Sequence, residues 1–368
     1  MKPTTSRTEG RTEARTEGRR AESRAGETAN ARPTLKTIAY MTGLGVTTVS
    51  RALKDAPDIA EHTKERVRLV AKQLGYMPNR AGVRLRTGKT NVIALILNLE
   101  EEIMGMAGQM IFGISEILAD TPYHLVLMPQ PIHHDQMAPV RYILDTGSAD
   151  GVIISRIEPD DPRIKLMRDR GMPFAAHGRT EGNIDYPFHD FDNDAYAFDA
   201  VEMLAGRGRR RIVSLQPPSH LTYYKYFRSG FERGLSQFSL EETPLTSIST
   251  DSPLTEIRSG MLATLRSSHP PDAVIACSGS SAIPIMAALR DCNLTLGREV
   301  DVVAKQPADF LNWINPELIA MSEDFSQAGR ELARAVLARI DNAGSKPLQS
   351  ISKPDWSKAP AARARENS

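Results

Sequence analysis

From residue 92 onward, short runs of consecutive apolar residues alternate with longer amphipathic stretches. Val92-Ile93-Ala94-Leu95-Ile96-Leu97 has the unbroken apolar character of a strand covered on both faces. The same texture predicts strands at His124–Met128, Gly151–Ile154, Phe174–Ala176, Ile212–Leu215, Ala273–Ala276 and Val300–Val303. Between them, helical spacing predicts helices at Gly108–Leu118, Arg163–Arg170, Asn193–Leu204, Phe227–Leu235, Pro253–Arg266, Ser281–Asp291 and Ala328–Asn342. Strands alternating with helices over this length predict doubly wound parallel sheets. The stretch from 91 to 343 is about twice a typical domain, which predicts two lobes. The Pro/Lys/Ser-rich end, 344–368, reads as a flexible tail.

Ahead of this core the pattern is helical throughout. Thr34 can cap a helix with apolar positions at Leu35, Ile38, Ala39 and Met41, broken by Gly43 and Gly45. Val46–Leu53 predicts a second helix with Val46, Val49 and Leu53 as inward candidates. His62–Leu74 predicts a third, ended by Gly75 and Pro78. Three short helices with a Gly turn between the first two describe a helix-turn-helix domain over 33–78. Residues 1–32 repeat an Arg-Thr-Glu-Gly/Ala unit and contain no large apolar residue after Met1, so they are expected to be disordered. That stretch reads either as a DNA-attracting arm or as an over-extended translation start.

Charge sharpens the division. The formal net charge is +1, yet Pro33–Thr90 carries 11 basic and 4 acidic residues. A compact basic block on an acidic remainder suits a polyanionic partner, although a solvated basic face would look the same. No apolar run is long enough to span a bilayer, and the first residues lack the apolar segment of a secretory signal, so a cytoplasmic protein without a membrane partner is expected. Cys277 and Cys292 lack metal or redox spacing and read as reduced thiols. Gly88-Lys89-Thr90 lacks the first Gly of a phosphate loop, where Val83 stands, and it precedes a strand rather than following one. His133-His134-Asp135 has no further ligand at metal spacing. No catalytic constellation, cofactor motif or metal site is expected, so the chain does not read as an enzyme.

Leu35-Lys36-Thr37-Ile38-Ala39, Gly43, Val46 through Leu53, Gly75 through Arg80 and Leu85-Arg86-Thr87-Gly88 closely resemble the head of the lactose repressor/galactose repressor family. The core shows the same order of elements and scattered signatures: Asp150-Gly151, Pro173-Phe174 with Gly178-Arg179, Arg228-Ser229-Gly230-Phe231, and Pro316 through Phe325. The resemblance implies a small all-α helix-turn-helix head on an α/β two-lobed periplasmic-binding-protein-like core. It also implies a homodimeric repressor that binds palindromic double-stranded operator DNA under the control of a carbohydrate-like effector. Val46, Thr47 and Arg51 then stand where a recognition helix meets base edges: Arg suits guanine, and Val and the Thr methyl suit a thymine methyl, while Val46 suits packing equally well. Thr48 and Ser50 suit phosphates. Gly45 replaces the family's usual Ser. Residues 79–90 resemble the hinge, with Asn79, Arg80 and Leu85 in the DNA-binding set and Leu85 as a minor-groove wedge. Gly82 stands where a small helix-former is usual.

For the effector, the resemblance implies a polar grip by Arg228. Ser278-Gly279 replaces the family's frequent Asn-Asp, and Lys305-Gln306-Pro307 its aromatic-Asp-Asp. Gln306 can both donate to and accept from hydroxyls, whereas Lys305 favours an anionic sugar derivative. A transport-type sugar-binding protein is the alternative from another class; the basic head argues against it.

Overall fold

A computed structural model describes residues 33–77, 84, 88–99, 105–182, 184–245, 247–307 and 310–359. The chain divides into two compact units, one ending at Gly88 and one beginning at Lys89. The expectations for residues 1–32, for Asn79 and Arg80, and for Leu85 as a wedge fall outside the described residues.

The first unit is three helices: α1 (Leu35–Thr42), α2 (Val46–Ala52) and α3 (Glu61–Gln73). Thr34 and Thr37 cap α1 reciprocally, each hydroxyl accepting from the other's backbone N–H. Gly43 ends α1 at φ 68°, a left-handed conformation that Gly adopts without strain, and so makes the tight turn into α2. Ile38, Ala39, Val49, Ala52, Val67 and Ala71 close the core. Met41, one of the apolar positions read for α1, and Val46, which suited either packing or base contact, both face out; Val46 is 41% exposed. Val46 is the first residue of α2, flanked by the exposed Gly45 and Thr47, while Val49 and Ala52, three residues apart, share the buried face.

The second unit has two parallel sheets. The first, in the order β11-β5-β4-β3-β1-β2, comprises β1 (Val92–Leu97), β2 (His124–Pro129), β3 (Gly151–Ile154), β4 (Phe174–His177), β5 (Phe188–Phe191) and β11 (Gln349–Ser352). Register is set by pairs such as Ile93 opposite both Leu125 and Gly151. One face packs on α4 (Met106–Leu118) and α12 (Phe325–Asp341), the other on α5 (Ala138–Thr146) and α6 (Pro162–Asp169). The second sheet, β10-β9-β8-β6-β7, comprises β6 (Arg211–Leu215), β7 (Glu241–Glu242), β8 (Ala273–Ala276), β9 (Asp301–Gln306) and β10 (Ile319–Ser322). It is covered by α7 (Asn193–Gly206) and α8 (Thr222–Phe238) on one face and by α9 (Leu254–Leu265) and α10 (Gly279–Asp291) on the other, with the short α11 (Phe310–Ile314) following β9. These are the two expected lobes.

The chain crosses between lobes after β5, after β10 and after β11. The last crossing corrects the expectation of a flexible tail for residues 344–359; residues 360–368 fall outside the described residues. Gln349–Ser352 pairs in parallel with Phe188–Phe191. Beyond it, Trp356 stacks on Tyr196 at 5.7 Å, and its indole N–H donates to Asp199 at 3.0 Å. This edge strand carries only one apolar residue, Ile351, so the apolar pattern gave it no signal.

Candidate functional site

In the head, the outward face of α2 presents Val46, Thr47, Ser50 and Arg51, with Val49 and Ala52 buried behind them. Thr48 sits at the edge of this face, half-buried. α2 has no side-chain cap at Gly45, so its first N–H groups remain open to a phosphate. Arg51 is held by Asp58 at 2.5 Å, both half-exposed, and this orients the guanidinium on the accessible face. Of the expected DNA-contact set, the described residues Val46, Thr47, Thr48, Ser50 and Arg51 thus lie on or beside one accessible helix face.

In the second unit, a cavity of about 260 Å³ opens between the lobes. Its walls are the carboxyl ends of parallel strands, where ligands sit in open α/β sheets. From the first lobe come Asn98 after β1, Arg156 after β3, Arg179 after β4 and Asp190 in β5. From the second come Cys277 and Ser278 after β8, Lys305 and Gln306 at the end of β9, and Glu323 after β10. Arg156 and Asp251 join the lobes by two hydrogen bonds of 3.0 and 2.5 Å, with Arg156 at a positive φ of 58°. For a non-Gly residue that backbone is strained, and such strain collects at binding sites. Gln109 Nε2 donates to the Pro307 carbonyl at 2.7 Å, and the Thr222 N–H to that of Ile157 at 2.9 Å, also lobe to lobe.

Every cation on the wall faces a carboxylate. Besides Arg156 with Asp251, Arg179 lies 3.0 Å from Asp190, and Lys305 lies 3.1 Å from Glu323 and 3.0 Å from Asn193 Oδ1. Burial raises the Asp190 carboxyl to about 6, with Arg179 opposing. Burial, helped by Lys305, lowers His177 to about 4, so its imidazole is neutral near pH 7. Burial pushes the Cys277 thiol up to about 12, leaving it without thiolate reactivity.

Two sequence expectations change here. Arg228 is not on the cavity. Its guanidinium is bound by Glu242 at 2.6 and 2.7 Å and by Glu232 at 2.5 Å. The Arg-Ser-Gly-Phe signature is a packing device: a Cβ at Gly230 would come within 2.0 Å of the Asp194 carbonyl, so only Gly lets α8 meet α7, and Phe231 and Phe227 stack behind it at 5.7 Å. Gln306 does reach the wall, but its amide donates to Asn312 at 2.5 Å and accepts from the Leu311 N–H at 2.9 Å, fixing α11. Arg156, Arg179 and Asp190 were missed as site residues. The signal for them was present: each stands at or just past the carboxyl end of a parallel strand, and Asp190 is a charge inside an apolar strand.

Residues 34–79 match the description of bacterial regulatory proteins of the lacI family, and residues 201–356 that of a periplasmic binding protein-like domain. The chain is 32% identical to the HTH-type transcriptional regulator AglR of Rhizobium meliloti (strain 1021), over 86% of this chain and 90% of that one. It is 31% identical to the HTH-type transcriptional regulator RafR of Escherichia coli, over 86% and 94%. Among solved structures, a lac repressor dimer bound to operator shares the fold at TM-score 0.75 and 18% identity, covering 88% of this chain and 97% of that one. A CelR–cellobiose complex shares it at 0.65 and 23%, covering 88% and 98%. No described helix is long and apolar enough to cross a membrane. The chain therefore belongs to the lacI family of bacterial regulatory proteins, which are DNA-binding transcriptional regulators rather than enzymes.

Proposed function

We propose that the protein is a homodimeric repressor that binds palindromic operator DNA and releases it when a neutral, sugar-like effector occupies the inter-lobe cavity. The observation carrying the effector reading is charge balance. Three cations and three carboxylates on the wall neutralise one another in pairs, which suits a ligand of many hydroxyls and no net charge. An anionic effector finds no support here, because Glu323 and Asn193 already hold the Lys305 ammonium. One structural relative is a complex with cellobiose, and another is a probable maltose operon transcriptional repressor; both agree with a neutral sugar.

On the DNA, Val46, Thr47 and Arg51 set base preference, with Thr48 and Ser50 on phosphates and Asn79, Arg80 and Leu85 completing the contact set. The dimer is supported by apolar side chains left exposed on both lobes: Phe112 on α4, and Phe310, Ile314 and the 88% exposed Trp313 on α11. Selection from a random duplex library tests the reading. Two-fold symmetric sites should emerge, with affinity falling steeply as salt rises, and Arg51→Ala should relax one position at a cost of about 1–3 kcal/mol. Salt-insensitive binding without a symmetric consensus contradicts it.

A further inference from the structure

The basic block Pro33–Thr90 contains four acidic residues, and the fold of the head explains three of them. Asp55 meets Lys64 at 2.9 Å and Arg68 at 2.8 Å, and Glu61 meets the same two cations at 3.4 and 3.3 Å. These pairs brace the loop between α2 and α3 around the buried Lys64. Glu65 is exposed on α3. Asp58 differs, because its partner is Arg51 on the outward face of α2, at 2.5 Å. A carboxylate beside a surface that approaches phosphates opposes binding by like charge, unless it acts through the neighbouring cation.

The chain holds Asp58 in place from both sides. The loop that carries it folds back on Arg51, whose carbonyl accepts from the Lys54 and Ala56 N–H groups, each at 3.1 Å. Pro57, just before Asp58, has its φ fixed by the ring. Ile59, just after it, packs against the core of the head, and its N–H donates to the Ala56 carbonyl at 3.2 Å. The carboxylate is therefore presented by a short, anchored turn. It meets the guanidinium at Nη2. A guanidinium carries five donors in a planar fork, and the Arg51 side chain is 53% exposed, so part of the fork is left for the O6 and N7 of a guanine.

We propose that Asp58 is a specificity-determining residue of the head, which positions the Arg51 guanidinium to read one guanine of the operator. An unrestrained arginine on a helix surface has many rotamers and settles as readily on a phosphate as on a base edge. Pairing with a fixed carboxylate removes most of those rotamers before DNA is met, so less freedom is lost when the guanine contact forms. The same carboxylate repels the DNA backbone, which weakens binding that does not depend on sequence. Specificity is a difference of affinities, and Asp58 widens it from both sides. The assignment rests on the reading of Arg51 as a base-contact residue.

Fluorescence anisotropy of the full chain at one salt concentration tests it on three duplexes. The first is the palindrome that selection yields. The second has the base pair relaxed by Arg51→Ala replaced in both half-sites, and the third is an unrelated sequence. Asp58→Asn should lower the ratio of affinities for the first two duplexes at least threefold. It should bind the unrelated duplex as tightly as the wild type or more tightly, since a negative charge has gone. In an Arg51→Ala background the same substitution should leave the ratio unchanged, which separates positioning of Arg51 from a general effect on the head. Thermal melts should match the wild type, because a half-exposed pair adds little to stability. A ratio that falls less than threefold, including tighter binding to all three duplexes by one common factor, overturns the assignment and leaves the Arg51 reading intact. If Arg51→Ala relaxes no position, the Arg51 reading fails, and this assignment fails with it.

Discussion

Arg228 and Arg179 show what separates a structural arginine from a binding one. Arg228 has its three nitrogens directed at two carboxylates on its own side of the lobe, so it holds α8 to β7 at Glu242. Arg179 keeps one buried donor unused on the cavity wall. Arg228→Ala should therefore leave the effector response intact and cost about 1 kcal/mol or less, since the pairs it breaks are partly solvated. Thermal melts and effector titrations check both halves, and loss of effector binding in this variant would return Arg228 to the site. At this scale the sequence was most legible in the head. There, the residues proposed for DNA contact follow a fixed helical spacing, and Val46 was the one ambiguous position. In the core, the motif around Arg228 was visible but its reason was not, because a Gly chosen for helix contact and a Gly beside a ligand residue look alike in one dimension.

Among the elements, most of the core helices and the central strands were readable because their apolar periods are strong, although α5 and α11 went unread, and β1 and β8 fall where the pattern puts them. β5 and β11 were not. The first carries His189 and Asp190 within a buried strand, and the second is a polar edge. Both pair with each other, so missing one hid the other. The helix contacts were equally hidden. A Cβ at Gly113 would come within 2.0 Å of the Ser326 carbonyl, and one at Gly329 within 2.3 Å of the Met110 carbonyl, so α4 and α12 meet backbone to backbone. Gly230→Ala and Gly113→Ala should each force the helices apart and destabilise by at least about 1–3 kcal/mol, although Ala is the better helix former. Denaturant melts of the two variants check this, and a neutral or stabilising effect would show that the contacts yield without cost.

For the whole molecule, burial of two histidines ties stability to pH. His177 and His189 stack in parallel at 6.3 Å, and burial lowers both to about 4 from the usual 6.5. The unfolded chain thus binds these protons more tightly than the folded one, so stability falls as pH drops from about 6.5 toward 4. Asp190 acts in the opposite direction. Its carboxyl is raised to about 6 from 3.8, so its protonation regains some stability as pH falls through that window. Two histidines outweigh one aspartate, and Tm should decline on acidification across the window, less steeply in His177→Asn. A Tm that is flat or rising from pH 6.5 to 4.5 would contradict this account of the cavity wall.

The two-unit plan itself was legible from charge and periodicity, since a basic helical block precedes an alternating α/β region. What the sequence could not order was the cavity, because its wall is assembled from seven strand ends scattered between Leu97 and Glu323. The account joins these units through one claim, that occupancy of the cavity lowers affinity for DNA, which requires the effector to favour the released state. The most direct measurement is a binding isotherm of the full chain on its selected palindromic duplex, by fluorescence anisotropy, with and without a saturating neutral sugar that calorimetry shows to bind it. The account predicts that the sugar weakens DNA binding at least tenfold in the wild type and leaves Asp190→Asn on its sugar-free curve at the same concentration. Superimposable isotherms for the wild type, with the sugar bound, would contradict it.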